Sequence, residues 1–401
     1  MHSMNRALVA VVLLVASSAA ALVAAQIRYL PDAPGTWKPW RFEAFANNRR
    51  LSAATAAEVK ALEAQLLALN AILRKAPSFD APQGFSVETV GSLDPESRGP
   101  GQPAAATLPL PSMLNFGAYA VHTSGQGAAA RQQDTGETAQ ILFFVNQLAL
   151  ELLFEGGGVP EFGDLETDVT LLATSQPDAF GMPRHGNALV LKKNPAPLSS
   201  AVSLEESLQL FSKAVAARLT TARAADAHVQ KQYDDARDPV KRAQRLAEFK
   251  KLAPMVKDPT YLEKMVKADQ EIEAGLAKMA GPTSPTRKNV VAVEGALAAA
   301  KAALAALPAA DRAAASCYAA RNPIGPARFS REPAPGCLPI VRPNWRLFNS
   351  ALPRSAPQVL AIGHFERCLD QEQSADNQGG CTANRKLLEG LDKQAVLAWL
   401  Q

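Results

Sequence analysis

Residues 183–219 read PRHGNALVLKKNPAPLSSAVSLEESLQLFSKAVAARL, and the hydrophobic period changes inside them. Asn187, Ala188, Leu189, Val190 and Leu191 form a short apolar run ending in Lys192 and Lys193, which predicts a strand. Pro195 and Pro197 then forbid either ladder, since proline lacks an N–H and biases its predecessor to extended geometry. Ser203 and Glu206 supply a capping box, with the hydroxyl on the third helical N–H and the carboxylate reaching back to the cap. Leu204, Leu208, Phe211, Val215 and Leu219 continue at helical spacing. Sheet-forming sequence therefore gives way to helix-forming sequence near residue 200.

Outward from that switch, the N-terminal side is strand-rich. Phe85 and Val87 alternate with Ser86 and Glu88, which suits a strand with one face in water. Leu114, Phe116, Ala118 and Ala120 predict a second strand. Ile141 to Val145 are all apolar and predict a third, central strand, with a buried helix continuing to Leu153 as the alternative. Val169 to Ala173 predict a further one. Thr55 and Glu58 form another capping box, ahead of a helix with Val59, Leu62, Leu66, Leu69 and Leu73 on one face. Trp37 and Trp40 fit an N-terminal arm pinned to a core better than a sugar-stacking platform.

On the C-terminal side, the helix opened by Ser203 runs to about Arg237. Asp238 with Pro239, and Asp258 with Pro259, each place an acid cap before a proline in the first turn. A fourth helix follows from Arg287 to about Leu307. Such narrow apolar faces suit helical hairpins or a short antiparallel coiled coil. Beyond it, Val359 to Ile362 form a strand without a local partner, expected to join the sheet begun before residue 200.

The predicted fold is α+β: an N-terminal mixed or antiparallel sheet domain, a helical hairpin or coiled-coil insertion, and a disulfide-linked C-terminal segment that completes the sheet. The expected divisions are a signal peptide at 1–25, an arm and helix at 26–76, the sheet domain at 77–200, the helical region at 201–307 and a cysteine-containing segment at 308–401.

The signal-peptide expectation rests on a single formal charge, Arg6, followed by an apolar run from Ala7 to Ala16 and small residues to Ala25. An uncleaved anchor is the competing reading, because Ala7 to Ala25 are 19 uncharged residues. After cleavage no transmembrane helix is expected. Cys317, Cys337, Cys368 and Cys381 all lie late in the chain, and neither near pair has the spacing of a zinc knuckle or a dithiol redox site. Local disulfides 317 to 337 and 368 to 381 are the preferred pairing for an oxidising compartment such as the periplasm.

A net charge of +4, from 42 basic and 38 acidic residues, gives no reason to expect nucleic acid. Gly156, Gly157 and Gly158 lack the Lys-Ser or Lys-Thr of a phosphate loop, and no dinucleotide fingerprint occurs. No HExxH, no nucleophile elbow and no penicillin-recognition signature is present. A zinc site from His122, His185 and a carboxylate requires that their strands be neighbours. Glu161 with Asp164 and Glu166 with Asp168 are carboxylate pairs on a loop. Seven arginines, 321, 328, 331, 342, 346, 354 and 367, gather where the only acids are Glu332 and Glu366, suiting either anion recognition or bonding to irregular backbone.

With every catalytic template incomplete and no cofactor motif, the expectation is an exported, non-catalytic envelope protein that binds another envelope protein or a cell-wall component. The rival is a periplasmic hydrolase of wall or sugar polymers using His364, His185, Glu161 or Asp164.

Overall fold

The computed structural model describes residues 28–43, 54–93, 108–124, 131–134, 139–148, 153, 155–163, 165, 167–172, 178–363 and 378–401. Its first strands are β1 (Arg28–Tyr29), β2 (Arg41–Glu43), β3 (Phe85–Leu93), β4 (Ser112–Ser124), β5 (Arg131–Asp134), β6 (Ala139–Val145), β7 (Glu155–Gly158) and β8 (Thr170–Leu172). Then come β9 (Arg184–His185), β10 (Ala188–Lys192), β11 (Ser199–Ala201), β12 (Ser316–Tyr318), β13 (Phe329–Arg331), β14 (Leu338–Pro343) and β15 (Val359–Gly363). The helices are α1 (Ala56–Arg74), α2 (Leu204–Arg237), α3 (Pro239–Leu252), α4 (Tyr261–Met279), α5 (Pro285–Ala305), α6 (Ala309–Arg312), α7 (Gln378–Gly390) and α8 (Lys393–Trp399). The architecture is α+β, and the chain divides into two compact units. The first comprises Met1–Glu155, Ala173–Ser200 and Pro343–Gln401, and the second Gly156–Leu172 and Ala201–Arg342.

In the first unit, strands run in the order β2, β3, β4, β6, β15, β10, β9, with β1 and β5 also on β4. Only the β2–β3 pair is parallel among these. The late strand β15 lies between β6 and β10, with Leu360 opposite Val145 and Leu191. The orphan apolar run near residue 360 thus completes a sheet begun more than 200 residues earlier. One sheet face carries Phe85, Val87, Leu114, Phe116, Ile141, Phe143, Leu189, Leu360 and Ile362, all buried. It packs against α1 through Leu66, Leu69 and Leu73, and against α7, α8 and the residues that follow each of them through Leu387, Leu391, Val396 and Leu400. A hydrogen bond from Trp399 Nε1 to the Gln65 carbonyl fastens α8 to α1 at 3.1 Å. In α7, Gly380 sits so close to the sheet that a Cβ would meet the Ala118 carbonyl oxygen at 2.8 Å.

Both elements of the Thr55 capping box form, and Lys75 ends α1. Trp37 donates to the Phe79 carbonyl at 2.7 Å and packs edge-on against Phe79 and Phe116, so it pins the arm to the core. The other face of the sheet is half-exposed at Val90, Met113, Leu142 and Phe144. The apolar run 141–145 is therefore central in the sheet, with burial alternating along it.

In the second unit, β13, β12, β14, β8 and β7 follow one another in a small sheet. Its core joins Val169, Leu171, Ile340, Tyr318 and Phe329 to Leu204, Leu208, Phe211 and Val215 of α2 and Ala300 of α5. The strand predicted near residue 170 thus belongs here, opposite Ile340 and Val341. Three further short strands, β12 to β14, form where the sequence shows no clear period. The helix α2 is about 50 Å long at 1.5 Å per residue. Its C-terminal half pairs antiparallel with α5, since Arg223 meets Glu294 and Asp226 meets Arg287 and Thr286.

Two caps differ from expectation. Ser203 caps α2 through the Glu206 N–H, but the Glu206 carboxylate turns to Arg342 instead of closing the box. A guanidinium partner outcompetes a neutral backbone N–H for a carboxylate. Asp258 accepts from the N–H and hydroxyl of Thr260, and α4 starts only at Tyr261. Asp238 caps α3 as predicted, accepting from Val240 and Lys241. The N-terminal segment expected to be a signal peptide lies outside the described residues, and among those described no helix is long and apolar enough to cross a membrane.

Candidate functional site

Alternation along a strand sends every second side chain to one face, and register decides which outward side chains become neighbours. In the first unit, Arg41 pairs with Val90 and Glu43 with Ser92; Glu88 pairs with Gly117, and Val90 with Asn115. Gly117 in turn lies opposite Gln140, and Asn115 opposite Leu142. Arg41, Glu43, Glu88, Val90, Ser92, Met113, Asn115, Gly117, Tyr119 and Gln140 together line an open cleft of about 270 Å³. Its depth has a local cause: in the row Glu88, Gly117, Gln140 the middle residue has no side chain.

Most of the charge in the cleft is matched internally, while the exposed Glu43 carboxylate makes no ion pair with a described residue. Glu88 accepts from the Tyr119 hydroxyl at 2.5 Å, is held by the Arg41 guanidinium, and lies 3.9 Å from Lys38. Lys38 also approaches Asp134 at 3.8 Å and sits over the Tyr119 ring, 3.7 Å from its centre. The Tyr119 hydrogen bond, followed by Arg41 and Lys38, holds the Glu88 carboxyl below its usual range against the opposing effect of burial. Burial, then the hydrogen bond to Glu88, pushes the Tyr119 phenol up to about 12. At neutral pH the pair is therefore a fixed phenol and a fixed carboxylate.

Beside the exposed Glu43 carboxylate, what remains for a ligand is neutral. Ser92, Asn115 and Gln140 offer hydroxyl and amide groups, flanked by Val90 and Met113. The side-chain oxygen of Asn115 is shielded from water and has no hydrogen-bond partner among the described residues. A carbonyl in that condition costs about 1–3 kcal/mol until a donor reaches it.

Comparison with protein-family models, curated proteins and solved structures yields no match. The site is therefore read from its own geometry.

Residues nominated from sequence sit elsewhere. His122 is buried on β4 and His185 half-buried on β9, with β6, β15 and β10 between their strands. At roughly 4.8 Å per strand the separation is about 19 Å, so the neighbouring strands that a shared zinc would need are not present. Burial, then nearby Lys192, depresses the His185 pKa. Among the described residues no group of three His, Cys, Asp or Glu could hold a metal ion. Asp164, Glu166, His364 and Cys368 lie outside the described residues.

In the second unit, Glu161 is 3% exposed and accepts from Arg328 at 2.5 Å, while Arg328 also donates to the Tyr318 hydroxyl at 2.8 Å. Burial, then Glu161, raises the Tyr318 pKa. Asp168 faces Arg342 at 3.5 Å, and its carboxyl is raised by burial against the pull of that guanidinium. Arg331 meets Asp311. In the first unit Arg354 reaches Glu58 at 3.3 Å and the Leu108 carbonyl at 3.1 Å. These arginines of the 321–367 group serve internal carboxylates and carbonyls. Cys317 and Cys337 are bonded, and among the described residues no cysteine is free.

None of the cleft residues carries a sequence motif. Their only sequence signal is polar residues at the outward positions of two alternating strands, Glu88 in β3 and Asn115 with Tyr119 in β4.

Proposed function

We propose that the chain is an exported, non-catalytic binding protein of the bacterial envelope, and that the β2–β3–β4–β6 cleft takes a neutral saccharide rich in hydroxyl and amide groups from the cell wall. The observation that carries the reading is Asn115, which lines a cleft whose Glu88 and Arg41 are already paired and has a shielded oxygen without a donor among the described residues. An N-acetyl amide or a sugar hydroxyl supplies that donor, and Ser92 and Gln140 add further hydrogen bonds. Export is supported by the Cys317–Cys337 disulfide, which persists in oxidising compartments, and by the three-part N-terminal segment.

Hydrolysis of the same polymer fits less well. Glycoside cleavage needs one carboxyl kept protonated to protonate the leaving oxygen. Glu88 has the opposite environment, lowered by its phenol and cations. The test is titration of the full chain with N-acetylglucosamine oligomers and with soluble wall fragments, followed by NMR and by product analysis. Saturable binding that Asn115→Leu weakens about tenfold or more, with no reducing ends released, supports the proposal. Binding that Asn115→Leu leaves unchanged, or no binding to either probe, overturns the cleft assignment; released sugar overturns the non-catalytic part.

A further inference from the structure

We propose that the tip of the α3–α4 hairpin in the second unit docks on an anionic lipid bilayer. The hairpin is antiparallel, because Arg242 meets Glu273 and Arg245 meets Asp269. Arg245 also donates to the Asp235 and Ala236 carbonyls, which fixes it beside the C-terminal end of α2. Leu252 lies seven residues further along α3, so at 1.5 Å per residue the apex extends about 10 Å past that anchor.

At the apex the usual burial order is reversed. Leu252, Met255 and Val256 are 42%, 75% and 40% exposed. Neither α3 nor the 3-10 turn Ala253–Met255 that follows contains a buried residue. Lys250, Lys251 and Lys257 are exposed around these side chains, and none takes part in an ion pair with a described residue. The cations further down the hairpin are by contrast committed: Lys241 to Asp235, Arg242 to Glu273 and Arg245 to Asp269. The nearest tip acid, Asp258, is already held by Lys264 at 2.8 Å.

Charge complementarity selects the occupant. Free lysines around apolar side chains match a surface with phosphate outside and hydrocarbon beneath, where the ammonium groups stay at headgroup level while the apolar groups sink. An acidic protein would also attract the lysines. A stable protein interface, however, needs about 800 Å² per partner, and a projecting turn with so few apolar side chains is better suited to insertion than to that contact.

The experiment is co-sedimentation of the full chain with vesicles of phosphatidylcholine alone and of phosphatidylcholine mixed with phosphatidylglycerol, at low and high salt. Near an anionic surface each lysine changes partitioning about fivefold. The triple variant Lys250→Gln, Lys251→Gln, Lys257→Gln should therefore bind mixed vesicles about 100-fold more weakly at low salt. Met255→Asp with Val256→Asp should also abolish binding, and high salt should weaken the wild type. A control removing as many charges elsewhere, Lys213→Gln, Lys288→Gln, Lys301→Gln, should bind within about twofold of wild type, since the effect falls off with distance from the surface. Every variant keeps the apolar N-terminal segment, so any contribution it makes cancels. No binding to mixed vesicles, equal binding to the neutral ones, unchanged binding by the tip variants, or an equal loss in the control overturns the proposal.

Discussion

The side-chain oxygen of Asn146 accepts a hydrogen bond from the backbone N–H of Gln358 at 2.7 Å, joining residues 212 positions apart. Asn146 Nδ2 donates to the Ala356 carbonyl at 2.9 Å, and its backbone N–H donates to the Val359 carbonyl. This buried residue adopts φ 58°, a left-handed conformation that asparagine tolerates better than most side chains. It therefore closes the end of β6 and sets the entry of β15.

Asn146→Ala should destabilise the first unit by about 3 kcal/mol, through unsatisfied buried groups and left-handed strain. Asn146→Gly should recover about 1 kcal/mol of that, because glycine relieves the strain without restoring the bonds. Urea unfolding of the three proteins measures both differences. Equal losses for Ala and Gly would show that backbone conformation contributes nothing.

The Glu88–Tyr119 pair predicts two pH effects of opposite direction. Glu88 is lowered in the folded state, so its contribution is present above the ordinary value of 4.5 and lost as pH falls through the lowered one. Tyr119 is raised from 10.0 to about 12, so the folded protein holds the proton longer and stability declines between those values. Ultraviolet titration of wild type minus Tyr119→Phe should show one phenol ionising near the upper value. A difference curve centred at 10 would contradict the buried hydrogen bond.

Cys317 and Cys337 close a loop of 20 residues, which restricts the unfolded chain by about 3 kcal/mol. Replacing both by alanine should lower the stability of the second unit by about that amount, as should reduction of the wild type. Thermal unfolding of the second unit with and without reductant reads it: that transition should be insensitive to reductant in the alanine variant and sensitive in the parent. Since Cys381 is also disulfide-bonded, any reductant effect on the first unit should be the same in both.

Glu161 and Arg328 test whether a buried pair supports the second unit. Glu161→Ala removes one partner and should lower the midpoint of thermal unfolding by several degrees. Adding Arg328→Met should restore part of the loss, since an unpaired charge is worse than none. A double variant less stable than Glu161→Ala would exclude that mechanism.

Much of the local structure was legible because its causes are local. Thr55 and Glu58 are three residues apart and formed their box; Asp238 and Pro239 restarted a helix as their chemistry requires. The Ser203 box formed only in part, because its glutamate found Arg342, 136 positions away. The strands β12 to β14 were missed since they are short, with prolines inside β14 and in the connections between them, and with burial arising from helices packed over them rather than from alternation. The candidate cleft was missed for a related reason: Arg41, Glu88, Asn115, Tyr119 and Gln140 lie on separate strands and share no motif.

Sequence alone determined where period 2 gives way to period 3.6, that Thr55, Ser203 and Asp238 cap helices, and that the apolar run near residue 360 lacked a local partner. Those follow from interactions within a few bonds of each residue. Only tertiary structure decided that β15 enters between β6 and β10, that β8 joins the second sheet, and that Gly117 opens a cleft between Glu88 and Gln140. Strand register is a long-range choice, settled by which apolar face can be buried by distant helices, and no window of neighbouring residues contains it.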